Sequence, residues 1–283
     1  MAGSGVFPKT ASLDIIYQGD YNTIQSTING VLSTYYGQTP LSSQISANPV
    51  IAAPAWDNLR LDINKCYKHI TNTDSTILDV DPQDIILAGD ANAYKVAADY
   101  CETNKATVAA GQLTSNVNSN SSSATWNGIR IFKTTYSWTG ADAANYWFNL
   151  GGSFVVAIDG SNGLGTAKDN MWLTIINSMP DQTYSNTQWD AGASIDLISY
   201  GTIGSVYSEN YARIEIQKIS ATQLDVTVTL NDADTGDQQN ASPTPGLPVD
   251  ENVDVDVSAS VTRYSSFDSI VAPAVTVTPV SNF

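Results

Sequence analysis

The sequence predicts an α+β protein: a small N-terminal helical module over residues 1–113, a Ser/Asn-rich linker over 114–125, and an antiparallel, jelly-roll-like β-sandwich over 126–283. Three observations carry this. Apolar residues recur at helical spacing before residue 114, the segment Thr114–Thr125 is almost wholly small and polar, and after it the apolar period changes to two in several runs. With 283 residues, 42% of them hydrophobic, the chain has the length and the apolar content to bury a core in each part.

In the first part, Tyr21, Ile24, Ile28, Val31, Leu32 and Tyr35 form one stripe, ended by Gly37 and Pro40. Trp56, Leu59, Ile63, Tyr67 and Ile70 form a second, and Pro54 ahead of it suits a first helical turn. A third stripe holds Tyr94, Ala97, Ala98 and Cys101 and extends to Val108, with Asp90 as its N-cap. Stripes this narrow pack into a small bundle or lie along partner chains. The predicted protein-docking surface is Tyr21, Ile24 and Ile28 together with Trp56, Leu59, Arg60, Ile63 and Tyr67, and the stretch Gln38–Ala53 reads as a docking arm. The polar side of the second helix is locally basic, with Arg60, Lys65, Lys68 and His69 against Asp57 and Asp62, and reads as an ordinary exposed face ahead of a contact for an acidic surface.

Beyond the predicted linker, Leu224–Leu230, Val253–Val261 and Ile214–Ile216 alternate with polar residues. Gly128–Trp138, Tyr146–Leu150, Ser153–Asp159, Met171–Asn177, Ser194–Ser199 and Val275–Thr278 complete the strand candidates. One dry and one wet face per strand is what two packed sheets supply.

Composition excludes several functions. Twelve Lys and Arg against 28 Asp and Glu give a net charge of −16, which repels phosphate backbones and argues against nucleic acid. The lone His69 removes most imidazole chemistry, so no catalytic residue is expected. Cys66 and Cys101 lack metal or redox spacing and read as buried thiols, with a bridge between two helices as the other option. No apolar run has the length of a signal peptide or a membrane span, so a soluble, non-exported, membrane-free protein is expected.

Four features are weighed as sites. Gly160-Ser-Asn-Gly-Leu-Gly165 lacks the order of a phosphate loop and no helix pattern follows it, so it reads as an inter-strand loop. Asn231–Asp237 sets oxygen ligands at alternate positions around Gly236, which makes Asp232, Asp234 and Asp237 the candidate ligands for a divalent cation. It lacks a bidentate Glu downstream and also reads as a solvated turn, so no cofactor is expected apart from that cation. Seven Asp and one Glu lie between Lys218 and Arg263 with no basic residue, which reads as a solvated sheet face. Trp189, in the loop Asn186-Thr-Gln-Trp-Asp-Ala-Gly192, is the tryptophan best placed for stacking on a sugar.

The runs Tyr21-Asn-Thr-Ile-Gln-Ser-Thr-Ile-Asn-Gly-Val-Leu, Tyr36-Gly-Gln-Thr-Pro-Leu-Ser-Ser-Gln and Trp56-Asp-Asn-Leu-Arg-Leu-Asp-Ile-Asn-Lys-Cys-Tyr-Lys-His resemble a segment of virion structural proteins of contractile-tailed (T4-like) cyanophages. The resemblance covers residues 15–73, and Phe148-Asn-Leu-Gly-Gly-Ser-Phe adds to it more weakly. It implies a particle component of the tail, neck, baseplate or fibre, located in a virion assembled in the host cytoplasm, and it carries no catalytic residues.

Together these readings predict a non-enzymatic virion protein that docks through its helices, displays its sandwich, contacts other virion proteins and forms a homo-oligomer, a trimer or a ring. The alternatives are a receptor-binding module for a host surface glycan and a capsid decoration protein. Charge is divided accordingly: residues 1–124 hold six basic and eleven acidic groups, residues 125–283 six and seventeen.

Overall fold

A computed structural model describes residues 7–9, 15–46, 51–81, 84–202, 207–233 and 252–281. The fold is α+β, with N-terminal helices followed by two antiparallel, sandwich-like sheets. The chain divides into two compact units: residues 1–114 with 145–151 and 265–273, and residues 115–144 with 152–264 and 274–283.

The helical unit is built from α1 (Gln18–Asn29), α2 (Ala53–Thr71) and α3 (Ala88–Asn104). The stripe of α1 continues into a π-helical segment, Gly30–Tyr35, whose wider turn brings the Tyr36 N–H onto the Val31 carbonyl at 3.0 Å. That register buries Val31, Leu32 and Tyr36 together. All three helical stripes converge on one core, where Trp56 meets Tyr21 edge-on at 5.2 Å and Tyr94 at 5.0 Å. Asp90 is not the N-cap of α3: it sits at the third helical position, and its carboxylate accepts from the Leu87 N–H at 2.9 Å.

Two later segments complete this unit. The end of α4 (Ala141–Asn149) buries Trp147 and Phe148, and Asn149 donates to the Tyr35 carbonyl at 2.8 Å. Residues 265–273 contribute Ile270 to the helical core. Residues 146–150, expected as a strand, are thus mostly helical.

In the second unit the strands are β1 (Leu113–Ser122), β2 (Gly128–Ser137), β3 (Ser153–Asn162), β4 (Gln182–Tyr184), β5 (Ile195–Tyr200), β6 (Tyr211–Ser220), β7 (Gln223–Asp232), β8 (Val255–Ser266) and β9 (Thr276–Ser281). They form a four-stranded sheet, β1-β8-β3-β4, and a five-stranded sheet, β5-β6-β7-β2-β9. The alternation sets the dry faces: Ile214, Val228 and Phe132 are neighbours across one sheet, and Val156 and Val261 across the other. Tyr136 of β2 and Phe154 of β3 join the two faces, with ring centroids 4.5 Å apart.

Two expectations are corrected here. Residues 114–122 are a strand and not a linker. As an edge strand β1 needs apolar cover on neither face: its inward Asn118 donates to the Tyr136 hydroxyl at 3.2 Å. Residues 171–177 are helical, lying in α5 (Ala167–Asn177). The last helix, α6 (Asn186–Ala191), is short.

Candidate functional site

The residues expected to dock are the core of the helical unit. Tyr21, Ile24, Ile28, Leu59 and Ile63 have no exposed surface and Trp56 has almost none. Tyr21 also donates to the Ala55 carbonyl at 3.0 Å. An amphipathic stripe reports that a face is buried but not by what, and here the three helices bury one another. Arg60 stays near the surface but is held by Asp57 at 2.7 Å and Asp79 at 3.1 Å, while Tyr67 lies against Tyr100 with ring centroids 5.0 Å apart.

The basic face of α2 dissolves in the same way. Lys68 faces Asp268 at 3.6 Å, Lys65 donates to Gln38 at 3.2 Å, and His69 is fully buried. Burial alone pushes the His69 pKa down to about 4, so the imidazole is neutral at pH 7. Asp62 is buried too. Its carboxylate accepts from the Leu41 N–H (2.9 Å), the Ser42 N–H (2.8 Å) and the Ser42 hydroxyl (2.6 Å), which holds the Gln38–Ala53 stretch to α2. The part of that stretch within the described residues is therefore fastened to its own unit.

The apolar surface left open on the helical unit lies elsewhere. Ile77, Val80 and Tyr94 are the buried floor of a groove of about 160 Å³ between the end of α2 and the start of α3. Leu78 is 73% exposed and Ile85 80% exposed on its rim, and Asp79, Asp84 and Asp90 also line it. Periodicity could not single this out, because Leu78 and Ile85 sit in an irregular connection.

In the second unit, Trp189 is fully buried and not a free stacking platform. Its ring centroid lies 5.4 Å from that of Trp138, and Lys218 places its ammonium 3.9 Å over the ring while donating to the Trp189 carbonyl at 2.9 Å. The reason is α6: Ser185 and Gln188 bond to one another ahead of the helix, and Gly192 ends it in the left-handed region, so the indole turns inward. A shallow polar hollow lies among Ser121, Asp159, Ser161, Asp256 and Ser258, and no aromatic ring lines it.

Of the three candidate cation ligands, Asp234 and Asp237 lie outside the described residues. Asp232 is the last residue of β7 and points into the unit, where its carboxylate meets the Lys168 ammonium at 2.7 Å with neither side chain exposed. Asp232 Oδ1 also accepts from Asn210 Nδ2 at 2.8 Å and from the Trp172 indole at 3.4 Å. No cluster of three or more metal-ligating side chains occurs among the described residues. The acidic stretch is likewise not all solvated: besides Asp232, Asp225 is buried and paired with Lys133 at 2.7 Å.

A helix does follow the glycine-rich segment: α5 starts at Ala167, capped by Thr166, whose hydroxyl accepts from the Asp169 N–H at 3.1 Å. Asp169 fills that end itself, its carboxylate accepting from Leu164 N–H and Asp254 N–H, both at 2.9 Å. An anion would have to displace this carboxylate. The signal was present as Thr166-Ala-Lys-Asp169, a capping pattern directly ahead of an apolar run.

Both cysteines are free and fully buried, and burial raises the Cys66 thiol well above its ordinary pKa. No described helix is long and apolar enough to cross a membrane. Comparison with known proteins returned no matching family model, no matching curated protein and no matching solved structure.

Proposed function

We propose that the chain is a non-enzymatic structural component of a contractile-tailed phage particle, in its tail, neck, baseplate or fibre, and that its helical unit docks on a neighbouring virion protein. The resemblance of residues 15–73 supports the class of protein. The observation that carries the docking reading is the open groove of the helical unit, where Leu78 and Ile85 stand exposed beside Asp79, Asp84 and Asp90. Single exposed aliphatic residues are common on any surface; a pair on the rim of one groove supports a contact site there.

The charge of the groove favours as its occupant an aliphatic anchor flanked by Lys or Arg, which would face Asp84 and Asp90, Asp79 being already paired with Arg60. Two buried carboxylates of the helical unit fit the same reading, because Asp62 and Asp20 are each bound to partners within that unit, where they hold the fold.

The test is particle assembly in the presence of the double variant Leu78→Asp/Ile85→Asp. Both side chains are exposed, so thermal unfolding should be unchanged while incorporation falls at least tenfold. Unaltered incorporation would overturn the docking site. Recovery of labelled wild-type chain on capsid faces would favour a decoration protein instead.

A further inference from the structure

We infer that Lys168 and Asn210 become joined by an isopeptide bond inside the sheet unit, with Asp232 as the proton carrier. The three side chains come from separate elements: α5, the residue ahead of β6, and the end of β7. Lys168 and Asn210 are fully buried, and so is the carboxylate between them. Asp232 presents one oxygen to the Lys168 ammonium at 2.7 Å and the other to the Asn210 amide nitrogen at 2.8 Å. An amine and a carboxamide are thereby held on the two oxygens of a single carboxylate, with water excluded.

Two neighbouring groups suit the reaction. The Ala233 N–H donates to Asn210 Oδ1 at 2.7 Å, which polarises the carbonyl and stabilises an oxyanion there. The Trp172 indole, edge-on to Trp126 with ring centroids 4.8 Å apart, borders the carboxylate. In such surroundings a charged pair is costly to bury, and proton transfer within it yields two neutral groups.

The steps balance without any oxidant or cofactor. A proton passes from Lys168 Nζ to Asp232, leaving a neutral amine and a carboxylic acid. The amine lone pair attacks Asn210 Cγ, and the carbonyl π electrons move to Oδ1 beside the Ala233 N–H. The acid then protonates Nδ2, the C–N bond breaks, and ammonia leaves as the carbonyl re-forms. The second proton of Nζ leaves with the ammonia as ammonium, and Asp232 returns to its carboxylate form. The product is a secondary amide between Lys168 Nζ and Asn210 Cγ, one ammonia lighter than the starting chain.

Intact-mass spectrometry of the purified full chain under denaturing conditions tests this. The expected result is a deficit of about 17 Da, with a branched proteolytic peptide that links Lys168 to Asn210. Asn210→Ala and Asp232→Ala should each show the full calculated mass. Three results would overturn the proposal: an unshifted wild-type mass, the same deficit without the branched peptide, or a loss of about 18 Da with Lys168 linked to Asp232. The decisive reading is made on the wild-type chain, so a variant that fails to fold does not weaken it.

Discussion

The side-chain oxygen of Gln112 accepts both the N–H of Ser269, at 3.0 Å, and its hydroxyl, at 2.5 Å. The amide nitrogen of the same buried residue donates to Asn72 at 2.7 Å and to Asp268 at 3.1 Å. One glutamine thus fastens the returning segment 265–273 to the end of α2.

Gln112→Ala would remove these bonds; exposed Asn72 and Asp268 can turn to water, which leaves the half-buried Ser269 N–H as the group without a partner. The expected loss is about 1 kcal/mol, the scale of a hydrogen bond lost at a half-buried group. Urea unfolding followed by tryptophan fluorescence measures it. A change below about 0.5 kcal/mol, the scale of ordinary surface substitutions, would show that the clasp does not hold the segment.

His69 makes stability fall with acidity. Its folded pKa of about 4 lies below the ordinary 6.5, because burial among Tyr36 and its neighbours disfavours the charged ring. Between those values the unfolded chain takes up a proton that the folded chain does not. Its contribution is therefore whole above pH 6.5 and declines as pH drops towards 4. The many carboxylates titrate in the same range, so the comparison must be with His69→Gln. The stability advantage of wild type over the variant should shrink by about 2 kcal/mol between pH 7.5 and pH 5. A constant difference would mean that the imidazole protonates normally.

Thiol labelling reads the core of the helical unit directly. Cys66 and Cys101 have no exposed surface, the Cys66 thiol is pushed up by burial, and the Cys101 sulfur lies 3.8 Å from the Ile63 carbonyl. A disulfide-exchange reagent at pH 8 should leave both unmodified in the native chain and modify both in denaturant. Rapid labelling of native protein would show that α2 and α3 separate readily.

What the sequence made legible follows from the range of the forces involved. The stripes at Tyr21–Tyr35 and Trp56–Ile70 mark helices, and the alternation at Leu224–Leu230 marks a strand, because local period reflects which face is buried. The same stripes cannot say whether a partner or the neighbouring helix buries them, and here Tyr21 and Trp56 bury each other. Residues 171–177 show how a short apolar run fits both periods, and the capping residues Thr166 and Asp169 decide it. Trp189 was bracketed by Ser185 and Gly192, the ends of a short helix, although its neighbours have a loop-like composition. The meeting of Lys168, Asn210 and Asp232 has no local signature at all, since tertiary packing alone brings those three positions together.

Gly37 and Gly30 separate a required glycine from a replaceable one. Gly37 sits at φ +68, in the left-handed region, and a Cβ there would lie 2.1 Å from the Tyr146 ring. Gly37→Ala must therefore strain the backbone and displace an aromatic side chain of the same unit. These two costs together are expected to reach about 3 kcal/mol. Gly30 has helical geometry, with φ −57, and an added Cβ would meet no atom within 4 Å. Gly30→Ala should therefore stabilise the protein by up to about 1 kcal/mol, by restricting the unfolded chain and favouring the helix. Chemical denaturation of the two variants side by side checks both signs. Equal destabilisation would mean that the π-helical segment beginning at Gly30 also needs glycine, which would place a constraint there that neither backbone angle nor available space reveals.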